Sequence, residues 1–202
     1  MSMLRRVRFQ PDYFMSAQFA GLAVAHTSGL YKRRGVELEV LPVGRAGEHA
    51  DEISIVSRGA TGALTVGSTE QNILIPAQRE GAAVQAVAAM FGRSPLALAA
   101  LPGHAPWSLA GDAAKPARIG VHEDTVGLLE RLMPSAEVVP VGRVEKLALL
   151  RAGEVDAVQV YDVMETMKME HDLGGTPPDV LPLEGVGGAR LGYTQVLFAS
   201  DE

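Results

Sequence analysis

Short apolar runs alternate along this chain with longer stretches whose apolar positions recur every three or four residues. Val7–Phe9 and Val36–Leu41 have the apolar, β-branched character of strands. Between them, Ala17–Arg34 spreads Phe19, Leu22, Ala23, His26 and Leu30 at helical spacing, and Gly35 follows as a stop. Strand, decorated loop, helix, glycine and strand make one βαβ unit. In doubly wound sheets ligands sit where strands end and helices begin. This unit therefore puts Tyr13, Phe14, Ser16 and Gln18 at the mouth of a candidate pocket.

The same reading continues downstream. Asp51–Arg58 predicts a short helix ended by Gly59, Ala63–Val66 a buried strand, and Thr69–Glu80 a helix ended by Gly81. Val84–Met90 and Leu96–Leu101 read as alanine-rich strands separated by Gly92-Arg93-Ser94-Pro95. Gly, Pro and Ala then cluster over Pro102–Pro116 around the single Trp107, the composition of a linker or hinge. Beyond it, strands are expected at Ala117–Val121, Glu137–Val141, Val155–Tyr161, Val180–Leu183 and Gly192–Ala199. Helices are expected at Thr125–Leu132, Val144–Ala152 and Val163–His171, with breaks at Gly174–Pro178 and Gly185–Gly188.

Alternating strands and helices mean an α/β fold with mostly parallel sheets. Two such blocks joined by loose crossings predict two lobes with a ligand cleft between them. The expected division is residues 1–101 plus 190–202 for lobe 1 and 102–189 for lobe 2, with hinge segments near 102–116 and 185–190.

Composition narrows the chemistry. Hydrophobic residues make up 47% and charged residues 21% of 202, ordinary for a folded domain. The net charge of −6 and the lack of a long basic run argue against a nucleic-acid partner. Lys32-Arg33-Arg34 sits at an expected helix C-terminus, where it complements the helix dipole. With no cysteine, disulfides, thiol nucleophiles and thiolate metal sites are excluded. No His or carboxylate spacing suits a metal, and no cofactor is expected. MSMLRRVRFQ has no apolar stretch after its arginines, so the expectation is a cytoplasmic protein, or a periplasmic or extracellular one if this is a processed form.

Three segments carry a family resemblance. Phe19-Ala20-Gly21 through Gly29-Leu30-Tyr31 to Gly35-Val36-Glu37-Leu38 is similar to the first helix and second strand of one group of periplasmic-binding-protein-like chains. Gly67-Ser68-Thr69-Glu70-Gln71 followed by Ala77–Val84 resembles that group's polar strand end opening a helix. Leu150-Arg151-Ala152-Gly153-Glu154-Val155-Asp156-Ala157 resembles its L-x-x-G-x-V-D-A segment. The group joins nitrate-, sulfonate- and taurine-binding proteins to formylaminopyrimidine-binding proteins and the thiamine-pyrimidine precursor synthases. The resemblance implies a type II periplasmic-binding-protein-like fold, a small polar, aromatic or heterocyclic ligand, and a membrane transporter as partner if the chain is exported. It equally allows a cytoplasmic decarboxylase, dehydratase or precursor synthase-like enzyme, or a shortened sensor or assembly subunit.

Two departures limit it. The cysteine-rich iron motif of the precursor synthases has Ala189-Arg190-Leu191-Gly192-Tyr193 in its place, and no lysine lies in Thr65–Gln78 for a Schiff base. Relatives also continue past the strand that matches Tyr193–Ala199, which leads to the expectation of a shortened member with exposed apolar surface on lobe 1 and a homodimer.

The resemblance makes Tyr13 the match for an aromatic that stacks on a ligand ring; Phe14 serves equally as a cap on the core. Ser16 suits either a ligand contact or a helix N-cap. Gly67 permits close backbone approach, while Thr69 and Glu70 are explained as helix-start residues, leaving Ser68 and Gln71 as preferred contacts. His122 ends a strand and Thr125 lies in the turn after it, where Glu123 and Asp124 argue against an anionic ligand. Tyr161 and Asp162 end the strand after Asp156, and Asp162 serves either a ligand N–H or the next helix as N-cap. On the enzyme reading, His122, Asp162, Glu70 and Glu123 are the acid–base candidates.

Overall fold

The computed structural model describes residues 4–43, 51–59, 64–109, 116–142 and 145–201. In chain order its strands and helices are β1 (Arg5–Gln10), α1 (Ala20–Thr27), α2 (Leu30–Arg33), β2 (Val36–Val40), α3 (Glu52–Arg58), β3 (Leu64–Glu70), α4 (Gln71–Arg79) and β4 (Val84–Ala89). There follow β5 (Leu96–Ala100), β6 (Arg118–Val121), α5 (Val126–Leu132), β7 (Glu137–Pro140), α6 (Lys146–Ala152), β8 (Ala157–Tyr161), α7 (Glu165–Asp172), β9 (Asp179–Pro182) and β10 (Gln195–Ser200).

The chain packs as two units, Met1–Gly92 with Tyr193–Glu202, and Arg93–Gly192. Unit 1 holds a five-stranded sheet in the order β2-β1-β3-β10-β4, and unit 2 one in the order β7-β6-β8-β5-β9. β1 pairs in parallel with β2 and β3, and β10 lies antiparallel to both β3 and β4. β6 likewise pairs in parallel with β7 and β8, and β5 lies antiparallel to β8 and β9. The sheets are therefore mixed: four strands in each run one way, and one reversed strand is inserted among them.

That reversed strand moves the lobe boundary. Leu96–Leu101 was expected in lobe 1, but β5 lies between β8 and β9 in unit 2, and all five of its residues are buried. β10 plays the matching part in unit 1 after the chain returns there. Each unit's sheet is thus completed by the strand that immediately follows a crossing, at Gly92–Arg93 and again at Gly192–Tyr193. An apolar run such as Leu96-Ala-Leu-Ala-Ala100 fits any sheet centre, so its pattern does not say which sheet it joins.

Unit 1 has a core of Val56, Leu74, Val84, Val196 and Phe198. Unit 2 packs Ala97, Ala99, Leu150, Val155, Val158, Val160 and Met169.

Other expectations shift at element ends. The single helix over Ala17–Arg34 is broken: a 3-10 turn at Ala17–Phe19 leads into α1, and Gly29, with φ of 68°, separates α1 from α2. A left-handed residue cannot continue a right-handed helix, and glycine adopts it without steric cost. Asp51 caps α3 rather than joining it, its carboxylate accepting the Ser54 N–H at 3.3 Å. α4 starts at Gln71 and not at Thr69, because Ser68, Thr69 and Glu70 remain in β3, paired with Leu197, Val196 and Gln195. Residues 110–115 of the expected hinge, Ala63 of the expected third strand and Val144 of the expected fifth helix lie outside the described residues.

Candidate functional site

In unit 1 the C-terminal ends of β1 and β3 meet the N-terminal end of β10, since Gln195 lies opposite Glu70. Asp12, two residues past β1, joins these strands through its side chain. One carboxylate oxygen accepts the Ser68 hydroxyl at 2.6 Å and the other accepts the Gln195 amide at 2.6 Å. The Asp12 N–H returns to the Ser68 oxygen at 3.2 Å. Gln195 is 1% exposed and its carbonyl Oε1 is buried with no hydrogen-bond partner among the described residues. Its amide cannot turn round, because Oε1 would then face a carboxylate.

Successive strand residues face opposite sides of a sheet. Thr69 accordingly points away from Ser68, and its hydroxyl donates to Glu52 Oε1 of α3 at 2.7 Å. Glu52 is buried, and burial pushes its carboxyl up to about 7, with the Asp12 and Asp51 charges adding to the rise and the Thr69 hydrogen bond opposing it. Gly67 shares the Thr69 face. A Cβ there would stand 2.5 Å from the Phe198 ring and 2.8 Å from Val56, so the missing side chain makes room for the core.

Tyr13 and Phe14 follow Asp12 directly, with ring centroids 4.2 Å apart and planes tilted by 43°. Phe14 is exposed and Tyr13 half-buried. Ser16 makes no side-chain cap bond; its Oγ is buried without a hydrogen-bond partner among the described residues, while its carbonyl accepts the Phe19 N–H. Gln18 sits half-buried in the 3-10 turn next to Phe19, which packs edge-on to Phe9 at 6.0 Å. The Gln71 N–H, the first amide of α4, donates to the Thr194 carbonyl at 2.8 Å. Thr194 holds a left-handed φ of 62°, the one non-glycine residue that does so among the described residues. Glu70 occupies the N-cap position of α4 without a side-chain cap bond.

Unit 2 has its own strand-end cluster. The His122 N–H, just past β6, donates to Gln159 Oε1 of β8 at 2.9 Å. Thr125 is buried in the 3-10 turn Glu123–Thr125, and its hydroxyl meets Asp124 at 2.9 Å. The Tyr161 N–H donates to Glu165 Oε2 at 2.8 Å, and the other oxygen of Glu165 pairs with the buried Lys146. Asp162 does not cap α7, whose N-cap position is Met164. Its carboxylate instead accepts Arg93 at 2.7 Å, and its second oxygen, Oδ1, is buried without a hydrogen-bond partner among the described residues. Asp156 pairs with Arg118 at 3.1 Å and accepts that residue's N–H at 2.8 Å, which ties β6 to the turn before β8.

The tertiary structure thus gathers Ser68 with Asp12 and Gln195 in unit 1, and His122 and Asp162 onto neighbouring strand ends in unit 2. Sequence reasoning passed over Asp12, Glu52, Gln195 and Arg93. Asp12 precedes the aromatic pair and was overshadowed by it. Glu52 reads as an ordinary acid in a helix's first turn. Gln195 carried the one available signal, a polar side chain entering the apolar run Val196–Ala199. No group of three or more metal-ligating side chains occurs among the described residues, and no helix there is long and apolar enough to cross a membrane.

A family model described as NMT1/THI5 like matches residues 16–202. No curated protein gives a sequence match. Among solved structures, the periplasmic aliphatic sulphonate binding protein SsuA from Escherichia coli is similar with a TM-score of 0.63 at 17% identity, covering 99% of this chain and 66% of that one. A putative sulfonate ABC transporter's periplasmic sulfonate-binding protein from Methylobacillus flagellatus KT gives 0.61 at 17%, covering 100% and 63%. The ligand binding component of an ABC-type import system from Staphylococcus aureus, with zinc bound, gives 0.63 at 14%, covering 98% and 66%. These likenesses show the fold, that of the type II periplasmic binding proteins, and the chain spans just under two thirds of the length of each of these three.

Proposed function

The chain belongs to the NMT1/THI5-like family, and from that premise we propose that it is a solute-binding protein that takes a small polar molecule at the strand ends of unit 1. The observation that carries this is the Asp12–Ser68–Gln195 cluster: a carboxylate fixed by two short hydrogen bonds beside a partly exposed aromatic pair, with an unused acceptor on a buried glutamine. Buried polar groups are normally satisfied, so a strand end that leaves one acceptor open is prepared for a donor from outside the fold. Ser68 is a direct part of this cluster. Tyr13, Phe14, Ser16, Gln18 and Gln71 are proposed to line it, and Gly67 and Thr69 to support it from the other face.

Within unit 2, His122, Thr125, Tyr161 and Asp162 are proposed as ligand contacts at that unit's own strand ends. The proposed partner is an ABC-type import system and the proposed location is outside the cytoplasmic membrane, following the descriptions of the similar proteins. A homodimer is proposed on the strength of the apolar side chains that unit 1 exposes, among them Val24, Leu30, Ile75 and Val87. A monomer at micromolar concentration by light scattering overturns the dimer.

The test of ligand binding is native mass spectrometry of the purified protein, followed by calorimetry with whatever co-purifies. Asp12→Ala is expected to weaken that binding at least tenfold, and unchanged affinity overturns the site. One observation favours an enzyme on the same scaffold: Glu52, a buried carboxyl held near neutrality, has the property of a general base. Chemical change of the bound molecule during incubation, lost in Glu52→Gln at saturating ligand, would establish that reading over simple binding.

A further inference from the structure

We infer that the ligand of the unit 1 strand ends carries a protonated nitrogen, an ammonium or amidinium, and is not a sulfonate or another anion. This deepens the site reading given above and rests on it. Four observations converge.

The segments that form these strand ends are Phe9–Gln18, Leu64–Gln78 and Tyr193–Ser200, and none contains a lysine or arginine. They contribute Asp12 and Glu70, and α3 adds Glu52 next to Thr69. Arg58, at the C-terminal end of α3, pairs with Asp51 at 3.9 Å, and the other charged groups that these segments bring together among the described residues are acidic. An anion placed there would meet like charge with no compensating cation from these three segments, a cost that grows as water is excluded.

The second observation is Gln195 Oε1. The side chain is 1% exposed, its amide is committed to Asp12, and its carbonyl is an acceptor without a partner among the described residues. The oxygen shares a carbon with the nitrogen that holds Asp12, so it lies at the carboxylate's edge. An acceptor beside a carboxylate asks for an N–H donor, and a group with two or more N–H bonds satisfies both at once.

The third is the pair Tyr13 and Phe14, which begins at the residue after Asp12 and presents tilted, partly exposed rings. Aromatic faces attract cations and give nothing comparable to anions.

The fourth is what the helix start does with its amides. The N-terminus of a helix is the usual backbone device for holding an anion. Here the first N–H of α4 is already bonded to the Thr194 carbonyl, and Thr194 adopts a left-handed conformation in presenting it.

The experiment uses probes matched in shape and differing in charge: benzamidinium, benzamide and benzenesulfonate, with the propyl analogues of each, measured by calorimetry on the whole chain at pH 8. The expected result is that at least one amidinium binds ten times or more tightly than its amide, and that neither sulfonate binds. Asp12→Asn should bring amidinium and amide within twofold of each other. Because Asp12 links strands, Glu52→Gln serves as a second variant, and it should weaken the amidinium severalfold while leaving the amide unchanged.

A sulfonate binding as tightly as the amidinium overturns the charge assignment and leaves the site reading standing. An amidinium preference that survives both substitutions also overturns the assignment, since the charge then comes from elsewhere. No binding by any of the six probes, as expected if Gln195 Oε1 is served by water alone, overturns the site reading and the assignment with it.

Discussion

The two sheets share a strand order and the position of the reversed strand, but they are covered very differently. In unit 2 the central strands β5 and β8 are buried at every residue, and among the described residues the large apolar side chains left exposed are Val163, Met167 and Val180. In unit 1 the edge strand β4 is buried at Val84 and exposed over its other five residues, and α1 buries none of its own. Leu4, Phe14, Met15, Val24, Leu30, Val40, Leu64, Ile75, Val87 and Tyr193 are all exposed there. Unit 1 also holds the buried carboxyl Glu52 and the Asp12–Ser68–Gln195 cluster. One topology thus supports wholly buried central strands in unit 2, flanked by part-exposed edge strands β7 and β9, with Thr125, Lys146 and Gln159 as buried polar groups. In unit 1 it supports a largely exposed edge strand and a polar cluster at the ends of the inner strands β3 and β10. Covering, not strand order, separates the two.

The comparison is sharpest where unit 1 concentrates its packing. Phe198 is fully buried and fills the space left by Gly67. Phe198→Ala is expected to cost about 3–5 kcal/mol, read by chemical denaturation. Unit 1 should then unfold before unit 2, and a single transition at unchanged midpoint would show that the two cores do not differ in this way.

Glu52 gives unit 1 a pH signature. Its folded value of about 7 lies above the ordinary 4.5, so the fold favours the neutral acid. The stability this confers is complete below about 4.5 and is lost as pH rises through about 7. Glu52→Gln keeps a neutral acceptor for Thr69 and should stabilise the protein at pH 8 by up to about 3 kcal/mol relative to the parent. At pH 4 it should be close to neutral. Denaturation midpoints of parent and variant at the two pH values check the sign, and equal differences at both would remove the buried acid from the account.

Two glycines probe the packing directly. A methyl group at Gly67 would collide with Phe198 and Val56, and Gly67→Ala is expected to cost about 1–3 kcal/mol. At Gly120 in unit 2 the nearest atoms, on Val141, stand at 3.2 Å, and Gly120→Ala should cost less, below about 1 kcal/mol. The reverse order of melting temperatures would contradict the packing described for both. The smallest effect is expected at Val87, which is 56% exposed on β4. Val87→Lys should change monomer stability by less than about 0.5 kcal/mol. If the bare edge of unit 1 is the dimer surface, the same charge abolishes association by light scattering.

Much of the architecture was legible in the chain. The periodicity of Ala117–Tyr161 gave the alternation of strands and helices in unit 2 to within a few residues, because each element there carries its own pattern and stop signal. Gly35, Gly59 and Gly81 marked where helices end, since the positive φ each supplies is a local property of the backbone. Ser68 was picked out at a strand end for the same local reason.

What the sequence determined by itself was therefore local: the α/β alternation, the absence of thiol chemistry, the excess of acid over base, and the strand ends at which polar side chains gather. Tertiary structure decided the rest. It assigned β5 to the second sheet, because an apolar strand joins whichever sheet needs its hydrogen bonds. It made Gly67 a packing residue through Phe198, 131 positions away. It joined Asp12 to Gln195 across 183 residues, and it raised the carboxyl of Glu52 by burying it. Those effects depend on distance and dielectric in three dimensions, which residue spacing along a chain does not encode.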